Sequence, residues 1–226
     1  VIQMRVLAFD TSSDEGGIAL LDKGEKIFHI RLADTNRIAE NIYSLLKRVL
    51  LETNLSISDI DLFSAVLGPG SFTGLRVSLA AIKAFALALE KPVYGIETMK
   101  LMVFSALKIR NFERAFVMQN ARREEVFLSL FDNELNEIEP VRIVPVSALF
   151  NLFKKDSLPV VVREDESVRL LPDDIDCVKI EKDLSVVCAE LSQMLFLKGY
   201  NITSPSDIEP VYIRNDVVRQ KRPEKA

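Results

Sequence analysis

The segment Gly68-Pro69-Gly70-Ser71-Phe72-Thr73-Gly74-Leu75-Arg76 constrains the fold of this chain more than any other. A short apolar run, Leu62-Phe63-Ser64-Ala65-Val66-Leu67, comes before it, and neither Gly nor Pro occurs from Leu75 to Lys91. That order predicts a strand, a glycine turn and a helix. The glycines permit positive φ and close approach of another backbone. Ser71 or Thr73 can cap the helix by accepting from its free N–H groups. Two readings are open for Gly68, Gly70, Ser71, Thr73, Gly74 and Arg76. A helix start with unpaired N–H donors can hold an anion, and the same residues can form a purely structural turn.

The flanking sequence supplies matching elements. Val6 to Phe9, Gly17 to Leu21 and Lys26 to Arg31 are strand candidates, with turns at Asp14-Glu15-Gly16 and Asp22-Lys23-Gly24. Such short-turn spacing predicts an antiparallel meander. A first helix is expected from Thr35 to Glu52, with Ile38, Ile42, Leu45, Leu46, Val49 and Leu50 on one face. After the glycine turn and second helix, Val93 to Ile96 gives another strand. The order βββ-α-β-α-β fits a half-domain of actin-like, ribonuclease H-like α/β type. Ala115 to Gln119, Val126 to Phe131, Val141 to Val144 and Leu158 to Val162 begin a second, degenerate copy. A helix from Leu184 to Leu197 ends it at Lys198-Gly199. The expected division is a first lobe over 1–104, a second over 105–204, and a C-terminal segment with a basic tail over 205–226.

Composition narrows the function. With 48% hydrophobic and 27% charged residues among 226, the chain is an ordinary globular one. Its net charge of -4 argues against a stand-alone nucleic-acid binder. The longest candidate for a membrane span, Val77 to Leu89, is short and interrupted by Lys83, so none is expected. The first apolar run is broken by Arg5 and Asp10, unlike a signal peptide. Cys177 and Cys188 lack zinc-like spacing and read as buried cytosolic thiols.

Residues that could carry chemistry are few. His29 is the sole histidine and cannot form a two-histidine metal site, so no metal is expected. Asp10-Thr11-Ser12 reads either as a remnant nucleotide site or as a turn held by the Asp side chain. The second half offers no second glycine-rich loop: Val160-Val161-Val162 runs into Arg163-Glu164-Asp165-Glu166, expected to be charged and exposed. Asn120-Ala121-Arg122-Arg123-Glu124-Glu125-Val126 makes Arg122 and Glu125 candidates for a cleft, or else solvated turn charges. The second helix is apolar on all faces, with only Arg76, Ser78 and Lys83 polar between Leu75 and Glu90. Such a helix needs cover on more than one side. Its alanines permit a close-packed partner. Ala81, Ala84, Phe85 and Ala88 are therefore expected at a subunit interface, or else the helix is buried wholly within the monomer. The tail from Arg214 to Lys225, with Arg219, Lys221 and Arg222, either meets RNA phosphates or is solvated.

Three segments together resemble the TsaB (YeaZ) family: the nonapeptide above, Val6-Leu7-Ala8-Phe9-Asp10-Thr11-Ser12, and Glu209-Pro210-Val211-Tyr212-Ile213-Arg214-Asn215. They stand in the family's order, and Asn120 to Val126 is similar to a further element of it. Val1 to Gln3 precede the usual start at Met4. The resemblance implies a two-lobed actin-like (ASKHA) protein, a non-catalytic relative of the TsaD/Kae1 type. It implies a cytoplasmic scaffold in the synthesis of threonylcarbamoyladenosine in tRNA. The implied partners are a TsaD-type catalytic subunit and a TsaE-type ATPase. Alone, a homodimer is implied, with the first two helices, Ile38, Ile42 and Leu45 included, making the contact with a second copy or with the TsaD-type subunit, and tRNA is met indirectly. No cofactor of its own is expected, beyond weak nucleotide binding at a shared interface. The larger relatives carry H-x-x-x-H on the first helix; the matching stretch here, Asp34-Thr35-Asn36-Arg37-Ile38, holds no histidine. The alternatives are an actin-like ATP-dependent phosphotransferase and an M22-type metalloprotease homologue.

Overall fold

The computed structural model describes residues 4–32, 38–164, 166–172, 174–200 and 204–213. Val1 to Gln3, Asp34, Asn36 and the tail from Arg214 lie outside them. The first half runs β1 (Arg5–Asp10), β2 (Gly16–Asp22), β3 (Glu25–Leu32), α1 (Ile38–Thr53), β4 (Leu62–Gly68), α2 (Phe72–Leu89), β5 (Val93–Glu97) and α3 (Thr98–Leu107). The second runs β6 (Arg114–Arg122), β7 (Glu125–Asp132), β8 (Glu137–Pro145), α4 (Leu149–Asp156), β9 (Val160–Arg163), β10 (Cys177–Ile180) and α5 (Ser185–Leu197). One sheet has the order β3-β2-β1-β4-β5 and the other β8-β7-β6-β9-β10. In each, the first three strands form an antiparallel meander and the last two join parallel to the first. The same topology occurs twice, which is the two-lobed actin-like arrangement. The position after residue 104 falls inside α3.

Strands β1 and β4 read as continuous apolar runs because both their faces are covered. Alternation by two sends Val6 and Ala8 to one face and Leu7 and Phe9 to the other. Leu7, Phe9, Phe63 and Ala65 pack under Leu46 and Val49 of α1 and Leu79, Ile82 and Ala86 of α2. Val6, Ala8 and Val66 meet the inner core, shared with Val117, Val161 and Val178 of the other sheet. Helices α3 and α5 lie in that inner layer. Helix α5 packs on β1, β2 and β4, whereas α3 packs on β6, β9 and β10 as well as β4 and β5. Outside the second sheet, α4 contributes Leu149 and Phe153 over Phe116 and Met118. Where the first half has the long helix α2, the second has only a 3₁₀ turn, Glu166–Leu170. That is the degeneracy of the second copy.

Helix α2 corrects one expectation. It starts at Phe72, not within the apolar run, and its 18 residues are long and apolar enough to cross a membrane by length and composition. Here its Leu75, Leu79, Ile82 and Ala86 face are buried against the first sheet. Lys83 does not interrupt the helix, because its ammonium leaves the apolar face and donates to the Ser206 and Ile208 carbonyls at 3.1 and 3.0 Å.

Candidate functional site

The three recognisable segments converge on one place. The β1–β2 turn carries Thr11 and Ser12 against the start of α2. The Ser71 N–H donates to the Ser12 carbonyl at 2.7 Å. The Thr11 hydroxyl donates to the Gly74 carbonyl at 2.8 Å and lies 2.8 Å from Ser78 Oγ. A Cβ at Gly70 would stand 2.3 Å from the Ser12 carbonyl oxygen, and one at Gly74 would stand 2.1 Å from that of Thr11. Both glycines therefore serve close approach of two backbones. Gly68 differs, since its φ of +111 is a conformation that L side chains rarely adopt. Ser71 is the N-cap, accepting from the Gly74 N–H at 3.3 Å.

The third segment crosses the same corner from the other side. Ile208 is buried over Gly95 and Leu67, and the Val211 N–H donates to the Leu67 carbonyl at 2.8 Å. Arg76 then joins the first and third segments. Its guanidinium lies 3.8 Å from the Phe72 ring centre, and its Nε–H donates to the Tyr212 hydroxyl at 2.8 Å. Phe72 and Tyr212 are themselves 5.2 Å apart. This cation–aromatic cluster is exposed.

Behind Ser12 lies a buried polar junction of the two halves. Asp10 is fully buried. Its Oδ1 accepts from the Ser12 N–H and hydroxyl at 2.9 and 2.6 Å, and its Oδ2 accepts from the Leu184 N–H at 2.8 Å. Burial pushes the Asp10 carboxyl above its ordinary range, against the opposing pull of the Arg163 guanidinium. Arg163, expected in an exposed loop, is instead fully buried as the last residue of β9. It donates to Ser12 Oγ at 2.8 Å and stands 3.9 Å from Asp10 Oδ2, while its Nε and Nη1 have no partner. Glu164 is exposed, and the side chains of Asp165 and Glu166 lie outside the described residues. His29 is bound 2.6 Å from Asp183, whose other oxygen accepts from the Ser185 N–H. Arg31–Glu181 and Lys182–Glu15 tie the same connector to the first sheet.

In front of Ser12 opens a cleft of about 580 Å³. Ser12, Asp14, Ser71 and Thr73 of the first half line it together with Gln119 and Arg122 of the second and Tyr212 of the C-terminal segment. Asp10 and Thr11 lie buried behind it. Glu125 begins β7 opposite Arg122 in register and is not among the lining residues. The hairpin carrying Arg122, Arg123 and Glu124 has φ of 65, 54 and 57 at three successive non-glycine residues. Such strain is kept where surrounding structure enforces it. Among the described residues, no three His, Cys, Asp or Glu side chains are grouped to hold a metal ion. Sequence reasoning missed Arg163, Lys83, Gln119 and Asp183. The first two carried a signal, as lone cations ending or interrupting an apolar run.

The family described as "TsaD: tRNA N6-adenosine threonylcarbamoyltransferase" matches residues 34–154, more than half of the chain. The chain is 26% identical over 232 residues to the Haemophilus influenzae tRNA threonylcarbamoyladenosine biosynthesis protein TsaB, covering 97% of this chain and 98% of that one. With the Escherichia coli protein of the same name the identity is 27% over 247 residues, covering 98% and 100%. The chain belongs to the TsaB family. In fold it is similar to YeaZ from Pseudomonas aeruginosa, with a TM-score of 0.76 and 19% identity over 92% of this chain and 99% of that one.

In this TsaB-family chain, the residues expected at an interface separate into two groups. Ile42, Leu45 and Phe85 are half-buried and lie against the chain's own outer core; Phe85 stacks on Phe63 at 6.0 Å. Ala81 is half-buried too. Ala84 and Ala88 are exposed, as are Ala80 and Leu87 of α2 and Tyr43 and Leu51 of α1. The side chain of Ile38 lies outside the described residues. The apolar α1 stripe read from the sequence mostly faces inward, and the outward apolar surface comes from residues off that stripe. A groove of about 400 Å³ runs along α1 between Tyr43, Leu46, Leu50 and Leu55.

Proposed function

We propose that this chain is a non-catalytic subunit of the machinery that makes threonylcarbamoyladenosine in tRNA, acting in the cytoplasm by binding and activating a TsaD-type catalytic subunit. A TsaE-type ATPase completes the assembly, and tRNA is met through the complex. The observation that carries this reading is α2: an 18-residue apolar helix that buries one face against the first sheet and leaves Ala80, Ala84, Leu87 and Ala88 exposed. Apolar helix surface of that extent is normally covered. Tyr43 and Leu51 of α1 and Leu87 of α2 are also exposed large apolar side chains, which supports a role of these helices in partner binding. The junction behind the cleft supports a structural role for Asp10, Thr11 and Ser12, since their polar atoms bind one another, α2 and α5. A subunit of this kind works by favouring one state of its partner.

The test is reconstitution of threonylcarbamoyl transfer to tRNA with partner subunits, ATP, bicarbonate and threonine. Transfer is expected to fall sharply when this chain is omitted or carries Ala84→Glu. Full transfer without the chain would refute the proposal, and ATP turnover by the isolated chain would favour the phosphotransferase reading.

A further inference from the structure

The cleft in front of Ser12 holds an acceptor that the fold leaves unmet. Gln119 follows Val117 by two on the inner face of β6, lines the cleft and is only 7% exposed. Its side-chain oxygen, Oε1, has no hydrogen-bond partner. Native structures hold few buried polar atoms of this kind, because each costs stability until something meets it. The start of α2 lines the same cleft with donors left over. Ser71 takes up the Gly74 N–H through its hydroxyl at 3.3 Å and the Leu75 N–H through its carbonyl at 2.9 Å. The Phe72 and Thr73 N–H groups come before any intrahelical acceptor, and both residues line the cleft. The 18-residue helix behind them adds its positive end. Two exposed charges of opposite sign, Asp14 and Arg122, belong to the same lining, and neither forms an ion pair among the described residues.

We infer that this cleft binds a free α-amino acid. Its carboxylate accepts from the Phe72 and Thr73 N–H groups and from the Arg122 guanidinium. Its ammonium group donates to Gln119 Oε1 and to the Asp14 carboxylate. The class of ligand follows from what is left unpaired. Free N–H groups at a helix start call for an anion, and an arginine suits a planar carboxylate. A buried amide oxygen without a partner calls for a donor. One ligand has to bring an anion and a donor close together, and an α-amino acid carries both on a single carbon. A phosphate offers acceptor oxygens, so it would leave Gln119 Oε1 unmet. Asp14 would also repel a polyanion. The cleft of about 580 Å³ falls within the range of small-ligand sites, and Phe127 and Val211 supply apolar lining for a side chain. None of these groups belongs to the outward α1–α2 residues assigned to partner binding, so the site stands or falls apart from that role.

The experiment is calorimetric titration of the full chain with each proteinogenic L-amino acid singly and with inorganic phosphate. Any amino acid that binds is then compared with its primary amide, which lacks the carboxylate, and its N-acetyl form, which lacks the ammonium group. At least one free amino acid is expected to bind at millimolar concentration or below, and both derivatives to bind about tenfold or more weakly. Gln119→Leu is the deciding variant, since it nearly keeps the volume and removes the unmet oxygen. It should bind about tenfold or more weakly, yet melt no lower than the parent without ligand, because an unpaired buried polar atom has become apolar. A residue that served packing alone would not separate those two readouts. Asp14→Asn and Arg122→Ala, on exposed positions, should each weaken binding roughly two- to fivefold, as exposed ion pairs do. Should Gln119→Leu fail to fold, these two variants decide, and unchanged binding in both would overturn the proposal. Binding by Gln119→Leu equal to the parent's, or no binding of any free amino acid, would overturn it as well. Phosphate bound where no amino acid binds would also overturn it and make the helix start a plain anion site.

Discussion

Replacing Gly74 by alanine sets two effects of opposite sign against each other. Gly74 lies inside α2 with no positive φ, so alanine there should favour the helix by about 1 kcal/mol. The added methyl, however, would stand 2.1 Å from the Thr11 carbonyl oxygen and 3.2 Å from Ser71 Oγ. The first atom is backbone of the β1–β2 turn and cannot swing away. The helix start must retreat by about 1 Å to reach ordinary contact, and overpacking of this kind costs roughly 1–3 kcal/mol. Retreat also stretches the 2.8 Å bond from the buried Thr11 hydroxyl to the Gly74 carbonyl. A buried polar group left unpaired costs about 1–3 kcal/mol more. The contact terms exceed the propensity gain, and the net expectation is a loss of about 1–5 kcal/mol. Urea unfolding followed by circular dichroism measures it, as a lower midpoint with unchanged slope. Gly199→Ala is the control: its φ is +73 with nothing within 4 Å, so it should lose only about 1 kcal/mol from backbone strain. A Gly74→Ala protein as stable as the parent would refute the close-approach argument.

Arg163→Met should destabilise by about 3–5 kcal/mol, because it leaves the buried Asp10 carboxylate uncompensated; Asp10→Asn in the same chain should recover part of the loss in urea unfolding. Because the folded Asp10 carboxyl is raised above its unfolded value, its contribution to stability is full below the unfolded value and is lost as pH rises through the folded one. Asp10→Asn should remove that decline from a stability–pH profile. The Cys188 thiol, pushed up to about 12 by burial, should resist alkylation at pH 8 until the chain unfolds, while the half-buried Cys177 reacts first by mass spectrometry. Its contribution to stability should be present below its ordinary value and fade as pH climbs toward 12. Ile208→Ala should cost about 2–4 kcal/mol and raise hydrogen exchange at residues 204–213, with Lys83→Met giving a milder form of the same effect.

The elements legible in the sequence were those whose pattern has a local cause. The β1–β3 meander announced itself by short polar turns, and α2 by the glycine turn before it. Helix α3 was missed because Thr98 to Leu107 follows β5 without a break and is apolar on most faces, so no amphipathic period marks it. Helix α4 spans only eight residues, and β10 four, too short for periodicity to emerge. At the site, the turn residues were visible because glycine and Ser-Thr pairs mark close approach. Arg163 was not, because its burial depends on the β1–β2 turn, whose Ser12 it meets across 151 positions of sequence. A strand-end arginine beside three acidic neighbours looks solvated until the fold encloses it. The exposed face of α2 was legible in composition. Which alanines face outward depended on where the sheet and the C-terminal segment lie.

The exchange of α3 and α5 between the two sheets bears on how the chain is made. Helix α5 covers the inner faces of β1, β2 and β4, yet among the described residues it is the last helix to be synthesised. When β5 has left the ribosome, the first sheet has its outer helices and no inner cover, and Val6, Ala8 and Val66 face solvent. That sheet completes its core only after residue 197 has emerged, so native packing is postponed to the end of translation. A nascent chain arrested near residue 180 should therefore be readily cleaved by protease throughout, and one extended past α5 should become resistant in a single step.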